Sequence, residues 1–483
     1  MSVRRLFVFI FTIALFTMAV RETLDPDMWW HLRTGEYILN NGIPQQDVFS
    51  FTVTDYAWVT HEWLSQVIMW GIYLAGGLPG LMVVFALLIA LTFWLIYAVS
   101  AGRPYLPAFV TLLSAFASAI VWGARPQIFN MLLTAVFVFI IERYRQRRVG
   151  PRVLWLLPIF MVVWANLHSG YLLGVALLGT YAVGWGLERW LGSGEDVPTW
   201  TDVRRLGVVT AVSFLAAALN PSGPELWIYP FLTLGSTAMQ VYIQEWHSPD
   251  FHQVYFWPFA VLLIVGILSW VFSRKRPSIT DLLLFLGTGF AGLLSARHIP
   301  LFAIVAVPIV SRHLVLSLRE TSLNLLVSDA EDVPSRKAVL TVLNWIILAA
   351  ALFTAFVWTT NKIINNEMEI ARRYPVTAVD YLEESGLADE HGYNSYNWGG
   401  YLIWRRLPVF VDGRADVYGD EFLFYYLQAF EVRQNWAEPL TDFDVSYVLM
   451  ERGSPLISLL LAGGEWQEVY QDDVAQIVVR RDD

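Results

Sequence analysis

The chain has 483 residues, of which 56% are hydrophobic and only 15% charged, with a mean hydropathy of +0.48. One aqueous core could not hide that much apolar surface, so a soluble enzyme, a disordered chain and a collagen-like repeat are excluded. The net charge of −10 is uneven: from Thr360 to the end there are 10 basic and 22 acidic residues, which argues against a nucleic-acid partner.

The absence of Cys removes disulfides, thiolate chemistry and Cys-ligated metals. Aromatic residues are abundant, with Trp at 22, Tyr at 21 and Phe at 30, a load suited to membrane interfaces.

In chain order, Leu6 to Val20 is an apolar run behind Arg4 and Arg5. It has no small-x-small cleavage site after it, so it reads as a short, uncleaved first helix rather than a signal peptide. Residues 63–76 (WLSQVIMWGIYLAG) read as an interfacial helix, with Trp63 and Trp70 at headgroup level. Runs of spanning length follow near 79–100, 105–123, 128–142, 153–166, 169–187, 207–220, 256–273, 281–296, 299–316 and 338–358.

This gives an α-helical polytopic membrane protein of about 11 helices. Lys and Arg in the short loops orient it. Arg143, Arg145, Arg147, Arg148 and Arg152, then Arg204 and Arg205, Arg274-Lys275-Arg276, and Arg336-Lys337 all fall on one side if the N-terminus is cytoplasmic. A prokaryotic plasma membrane is the expected location.

The expected organisation is a membrane domain over 1–359, with external loops at 21–62 and 221–255, and an extracytoplasmic domain over 360–483. In the tail, Pro375 to Glu384 has helical spacing. Leu407 to Val411 and Val445 to Met450 read as short buried strands, and Val469 to Arg480 as a further one. The tail is therefore a small α/β domain.

Candidate chemistry lies in the external pieces. Asp25, Asp27, His31 and Arg33 are grouped just beyond the first helix, beside Trp29 and Trp30. Carboxylates there can act as a general base or hold a metal. Asp25-Pro26 also suits the capped start of a helix.

Glu245 stands in the second loop and Arg297 opens an apolar helix, where it suits either a phosphate or snorkelling toward lipid. Arg125 offers a second phosphate contact, and His168 lies in a loop that could line the same space. The Asp412-Gly413-Arg414-Ala415-Asp416 run reads as a sugar or ion site, or as a salt-bridged turn. There is no Walker loop, dinucleotide fingerprint or His-Glu-x-x-His pair.

The run Asp27-Met28-Trp29-Trp30-His31-Leu32-Arg33 resembles the first external loop of the oligosaccharyltransferase catalytic subunit and its archaeal and bacterial relatives. These are GT-C class membrane glycosyltransferases that use a polyprenyl-linked sugar donor. Gly42-Ile43-Pro44 followed by Asp47 and Phe49 is similar to archaeal members. Ile243-Gln244-Glu245-Trp246-His247-Ser248-Pro249 resembles the family segment whose Glu contacts the acceptor. Ser295-Ala296-Arg297-His298 matches the Arg that contacts the donor pyrophosphate.

Tyr396-Asn397-Trp398-Gly399-Gly400-Tyr401 resembles the tail motif that holds the acceptor's hydroxyl residue, but Trp398 replaces its Asp. The resemblance implies a transfer of sugar or oligosaccharide from a polyprenyl-phosphate-linked donor to an acceptor on the outer face. It makes Asp27 and Glu245 catalytic, puts Arg297 and Arg125 on the donor phosphate, and gives Asp25, His31, Arg33, Asn397, Trp398 and Tyr401 acceptor or supporting roles.

It also implies a divalent metal on Asp27. The family's second acidic pair is missing from Trp122-Gly123-Ala124-Arg125-Pro126-Gln127. The ligand set is thus incomplete unless Asp25, His31 or Asn130 assists, and a metal-independent reaction fits equally well. The missing pair and the altered tail motif also fit a non-catalytic GT-C-like scaffold or lipid-carrier-binding subunit.

Overall fold

The structure is a computed structural model that describes residues 1–192, 197–273, 275–319, 321 and 338–481. Helices α1 (Val3–Ala19), α2 (Pro26–Asn41), α3 (Trp63–Val99), α4 (Leu106–Ser118), α5 (Gln127–Arg145), α6 (Leu156–Leu167) and α7 (Tyr171–Leu191) form the first half of the body. They are followed by α8 (Trp200–Ala216), α9 (Glu225–Gly235), α10 (Thr237–Tyr242), α11 (Trp257–Val271), α12 (Ile279–Leu294), α13 (Ile299–Leu318) and α14 (Ala338–Ala371).

Among the described residues, six helices are long and apolar enough to cross a membrane, and three shorter apolar ones accompany them. The chain is a mainly helical membrane protein. Arg274, Arg336 and Lys337, used above for orientation, lie outside the described residues.

Up to Val310, helix α13 is apolar on every face, as a helix enclosed by others must be. Phe302, Ile304, Val305, Val307 and Val310 are all buried, against α4, α11, α12 and α5. By contrast α14 packs mainly on α1 and exposes Phe353, Phe356 and Ile346, a face suited to lipid.

The interfacial segment and the following span are one element, α3, broken at Gly77. There φ is 61° and ψ is −156°, a conformation that glycine alone adopts freely, and Pro79 follows. The break turns 63–76 away from the span and lays it against α2.

In the tail, β1 (Gly392–Asn394), β2 (Tyr447–Glu451), β3 (Trp466–Gln471) and β4 (Ala475–Arg480) make a sheet in the order β1-β2-β4-β3. β1 and β2 are parallel and the other pairs antiparallel. Helices α15 (Val376–Ser385), α16 (Tyr396–Trp404), α17 (Ala415–Phe430), α18 (Glu438–Asp442) and α19 (Pro455–Gly463) surround it.

The expected strand at Leu407–Val411 is not part of this sheet. Val409 pairs instead with Ser50 of the first loop, Phe51 N–H donates to Val409 O at 3.2 Å, and the Thr52 hydroxyl donates to Phe410 O. A backbone whose partner is 359 positions earlier in the chain leaves no local hairpin signal. Val469 to Arg480, expected as one strand, covers the second half of β3 and all of β4, which form a hairpin.

The same junction holds a buried charge cluster. Arg414, 1% exposed, donates to Asp412 from Nε (2.8 Å) and Nη2 (2.6 Å), and from Nη1 to Asp47. Its guanidinium lies over the rings of both Phe49 (5.1 Å) and Trp58 (4.7 Å). Tyr418 Oη donates to Asp412 Oδ2, and Ser50 donates to Asp47. The Asp412–Arg414 run is thus the salt-bridged turn, shared with the first loop.

Arg414→Met leaves two buried carboxylates without their cation, at a cost of about 3–5 kcal/mol. The expected result is a clear drop in the thermal unfolding midpoint of the detergent-purified protein, and earlier proteolysis between first loop and tail. An unchanged midpoint would refute the clamp.

Candidate active site

Helix α2 starts where its sequence says it should. Asp25 is the N-cap, its Oδ1 accepting Asp27 N–H at 3.0 Å, and Pro26 occupies the first turn. The capping and the functional readings of Asp25 are both met, because its other oxygen faces a cavity of about 610 Å³ between the helical body and the tail. Asp27, one residue into the helix, accepts Trp30 Nε1–H at 3.1 Å.

Arg125 enters from the turn between α4 and α5. Its Nε lies 3.3 Å from Asp25 Oδ2 and its Nη1 3.7 Å from Asp27 Oδ2. Nη2 donates to Glu245 and, at 2.6 Å, to Gln127 Oε1. Glu245 sits on a single helical turn, Gln244–Trp246, that is tied to the start of α13: Ser295 Oγ donates to Glu245 O and Ala296 N–H to His247 O.

That link also places Arg297 on the cavity wall, stacked over Trp246 at 5.1 Å. Among the described residues, Arg297 has no carboxylate within ion-pair distance, so its donors are open to the cavity.

Burial pushes the Asp27 carboxyl up to about 7, and the neighbouring Asp25 charge adds to the rise, against the pull of Arg125. Burial likewise raises Asp25. Glu245 goes the other way: burial opposes its charge, but Arg125 and then Arg297 hold it below the usual carboxylate range. One carboxyl of the group, Asp27, is therefore poised to change protonation near neutral pH.

A second polar centre lines the same cavity. Glu62 lies 3.7 Å from His31 Nε2, 3.5 Å from His61 Nε2 and 3.4 Å from His168 Nε2. Burial lowers His31 and His168 to about 3, so both are neutral. On His61 burial is outweighed by Glu62, which raises the imidazole.

His168 Nδ1 accepts Gly170 N–H at 2.8 Å and His31 Nδ1 faces the Gln66 amide nitrogen at 3.3 Å. The His168 ring therefore carries its proton on Nε2, toward Glu62. A nitrogen protonated there is not free to bind a metal. Glu62, His61 and Tyr229 also line this wall and were not expected; Tyr229 Oη donates at 2.8 Å, under the His61 ring, to Asp416 of the expected Asp412–Asp416 run, which lies on the wall too. Their positions follow no periodicity, and the only sequence signal was the His-Glu pair just before an apolar run.

Of the expected residues, Asp25, Asp27, His31, Arg125, Glu245, Arg297, His168 and Asn397 share the cavity. Arg33, Trp398 and Tyr401 are not on its wall. Arg33 pairs with Glu36, Trp398 Nε1 donates to Arg373 O at 3.0 Å, and Tyr401 packs on Trp29 and Tyr374. Arg125 faces the cavity, but its guanidinium is engaged by carboxylates rather than open to a phosphate.

The divalent ion implied by the resemblance does not fit this donor set. A guanidinium already stands where Asp25, Asp27 and Glu245 converge, within ion-pair distance of all three and hydrogen-bonded to Glu245, so its positive charge occupies the point an ion would need. Among the described residues no group of His, Asp and Glu is arranged to hold a metal.

No family model matches this sequence, and no curated protein matches it. Solved structures do resemble it. The oligosaccharyltransferase of Archaeoglobus fulgidus tethered to an acceptor peptide with an NVT sequon matches with a TM-score of 0.54 and 12% identity, over 93% of this chain and 69% of that one. The same organism's AglB, in complex with an inhibitory peptide and dolichol-phosphate, matches with 0.52 and 11%, over 92% and 69%. ArnT from Cupriavidus metallidurans bound to undecaprenyl phosphate matches with 0.51 and 14%, over 98% and 97%. The chain has the fold of the GT-C membrane glycosyltransferases.

Proposed function

We propose that this protein transfers a sugar or oligosaccharide from a polyprenyl-phosphate-linked donor to an acceptor at the outer face of a prokaryotic plasma membrane, with the N-terminus cytoplasmic and the tail outside. One observation carries this reading. A carboxyl that titrates near neutral pH and an Arg with open donors share one cavity, where the helical body meets the tail. The resemblance of the fold to proteins solved with dolichol-phosphate and undecaprenyl phosphate supports the choice of donor.

In this reading Arg297 holds the donor phosphate through its planar fork. The acceptor nucleophile attacks the anomeric carbon as the bond to the phosphate oxygen breaks, and the phosphate leaves on the carrier. Asp27, as carboxylate, takes the nucleophile's proton. Positive charge builds on the sugar ring in the transition state, and the acids of the cavity stabilise it.

A non-catalytic carrier-binding subunit is the second reading, favoured by Trp398, which stands where the family motif has an acid and turns away to Arg373.

The test is transfer of radiolabelled sugar from a polyprenyl-phosphate-linked donor to membrane extract. Asp27→Asn is expected to lower the rate by about 10²–10⁴-fold, the usual contribution of a general base, with donor binding kept. Wild-type rates in that variant would sink the mechanism, and no transfer with any donor would favour the second reading.

The wild-type rate is expected to rise with pH and level off above about 7, because the base must be deprotonated. The Trp30 hydrogen bond favours the carboxylate and lowers this pKa, so Trp30→Phe moves the acid limb to higher pH. An unmoved limb means another group is the base.

Arg297→Ala is expected to raise KM for the donor far more than it changes kcat, read from initial rates at varied donor. A side chain at Gly413 would run into Asp27 Oδ1, so Gly413→Ala is expected to lower transfer while the purified protein keeps its gel-filtration profile.

A further inference from the structure

Three carboxylates from two distant parts of the chain converge on one cation. Asp25 and Asp27 belong to the first turn of α2, and Glu245 comes from the second loop. Between them stands Arg125, with a different edge of its guanidinium toward each: Nε to Asp25, Nη1 to Asp27 and Nη2 to Glu245.

The backbone fixes it there. A Cβ at Gly123 would come within 2.7 Å of Asp25 Oδ2, so the turn presses on the carboxylate it serves. Pro126 immediately after limits the freedom of the turn as α5 begins. Gln127 accepts from the same Nη2 that reaches Glu245, completing the set of partners.

Two physical consequences follow. A delocalised, permanently charged fork with five donors can bind several carboxylates at once and orient them. A divalent ion needs oxygens at about 2.0–2.6 Å, and it cannot take the same point while a guanidinium fills it and repels it.

We infer that Arg125 is a resident cation that does the charge-neutralising and aligning work of a divalent ion. It holds Asp27 toward the cavity and makes the site metal-independent. Arg125 is a positioning residue here, acting on the substrate through Asp27 and Glu245. The part of this concerning catalysis rests on the transferase reading above; the part concerning cation occupancy does not.

The test uses the full chain, purified in detergent, stripped with a chelator and titrated with MnCl2 while free Mn²⁺ is read by electron paramagnetic resonance. Transfer is assayed in parallel in chelator and in Mn²⁺. Wild type is expected to take up no stoichiometric Mn²⁺ and to transfer equally in both.

Arg125→Gln vacates the point between the carboxylates. It is expected to take up one equivalent of Mn²⁺, to lose transfer in chelator by about 100-fold, the scale of one preorganised charge contact, and to regain a good part of it with Mn²⁺. A purely structural role for Arg125 would not be rescued by an ion.

Stoichiometric uptake by wild type overturns the inference, as does an Arg125→Gln protein that takes up no more Mn²⁺ than wild type or transfers normally in chelator. If Arg125→Gln does not run as a monodisperse peak, Arg125→Lys decides. Its retained charge predicts no uptake and chelator-resistant transfer, and uptake by it overturns the inference. Absence of transfer in wild type would remove the transferase reading, while the uptake comparison would still judge the role of Arg125.

Discussion

The cavity exists because one guanidinium is buried. Arg414 belongs to the tail, Asp47 to the first loop, and the two meet where neither reaches water. Between these contacts and the helical body lies α2, with Trp29 packed on Tyr374, Tyr401 and Trp404. With the loop and the tail joined, α2 is held at a fixed height and its first turn becomes a cavity wall. A fully desolvated ion cluster adds little net stability, since desolvation offsets most of its attraction. Its value here is registration: the cluster forms only when loop and tail meet in one arrangement.

The two ends of the helical body treat charge differently. Away from the cavity, Glu142, Arg145, Asp281 and Arg312 form a closed square: Arg145 to Asp281 at 2.6 Å and to Glu142 at 3.3 Å, Arg312 to Asp281 at 2.6 Å and to Glu142 at 2.8 Å. Two acids and two bases cancel, and Ser278 and Tyr181 take up further hydrogen bonds. Such a group stitches α5, α12 and α13 together and asks for nothing more.

At the cavity end three acids share Arg125, while Arg297 has only a ring beneath it. Burial, with the neighbouring Asp25 charge, raises Asp27 despite Arg125, and such an imbalance persists only where a ligand or solvent can complete it.

What the sequence made legible and what it hid follow from the range of the interactions. Apolar runs and the Asp25-Pro26 cap are local, and α1, α2 and most later helices begin within a few residues of their expected starts. The grouping of Asp27, Glu245 and Arg297 was legible only as a set of separate resemblances. Arg145, grouped with neighbouring arginines as an orienting charge, is in fact neutralised by Asp281, 136 positions away. Glu62 gathers histidines at 31, 61 and 168, and no spacing rule links those numbers. Leu407–Val411 was apolar enough for a strand, but its pairing partner lay in another loop.

The tail motif shows how a resemblance can mark packing rather than chemistry. Gly399 lets α16 approach Val411 and Asp412, and Gly400 lets it approach Pro26 O; a Cβ at either position would collide with backbone. Trp398 and Tyr401, on the same helix, complete that docking surface. The run therefore presses the tail onto the start of α2.

Among the tail's polar side chains on the cavity wall, Asp416 accepts from Tyr229, Glu431 pairs with Arg433 and Tyr396 donates to Gly413 O. Asn397 adds only a neutral amide. Besides Asp416, whose partner is a neutral hydroxyl, the charge that faces the cavity lies on the helical body, and the tail closes the space around it and holds Asp27, through Gly413, at a distance no larger residue would permit.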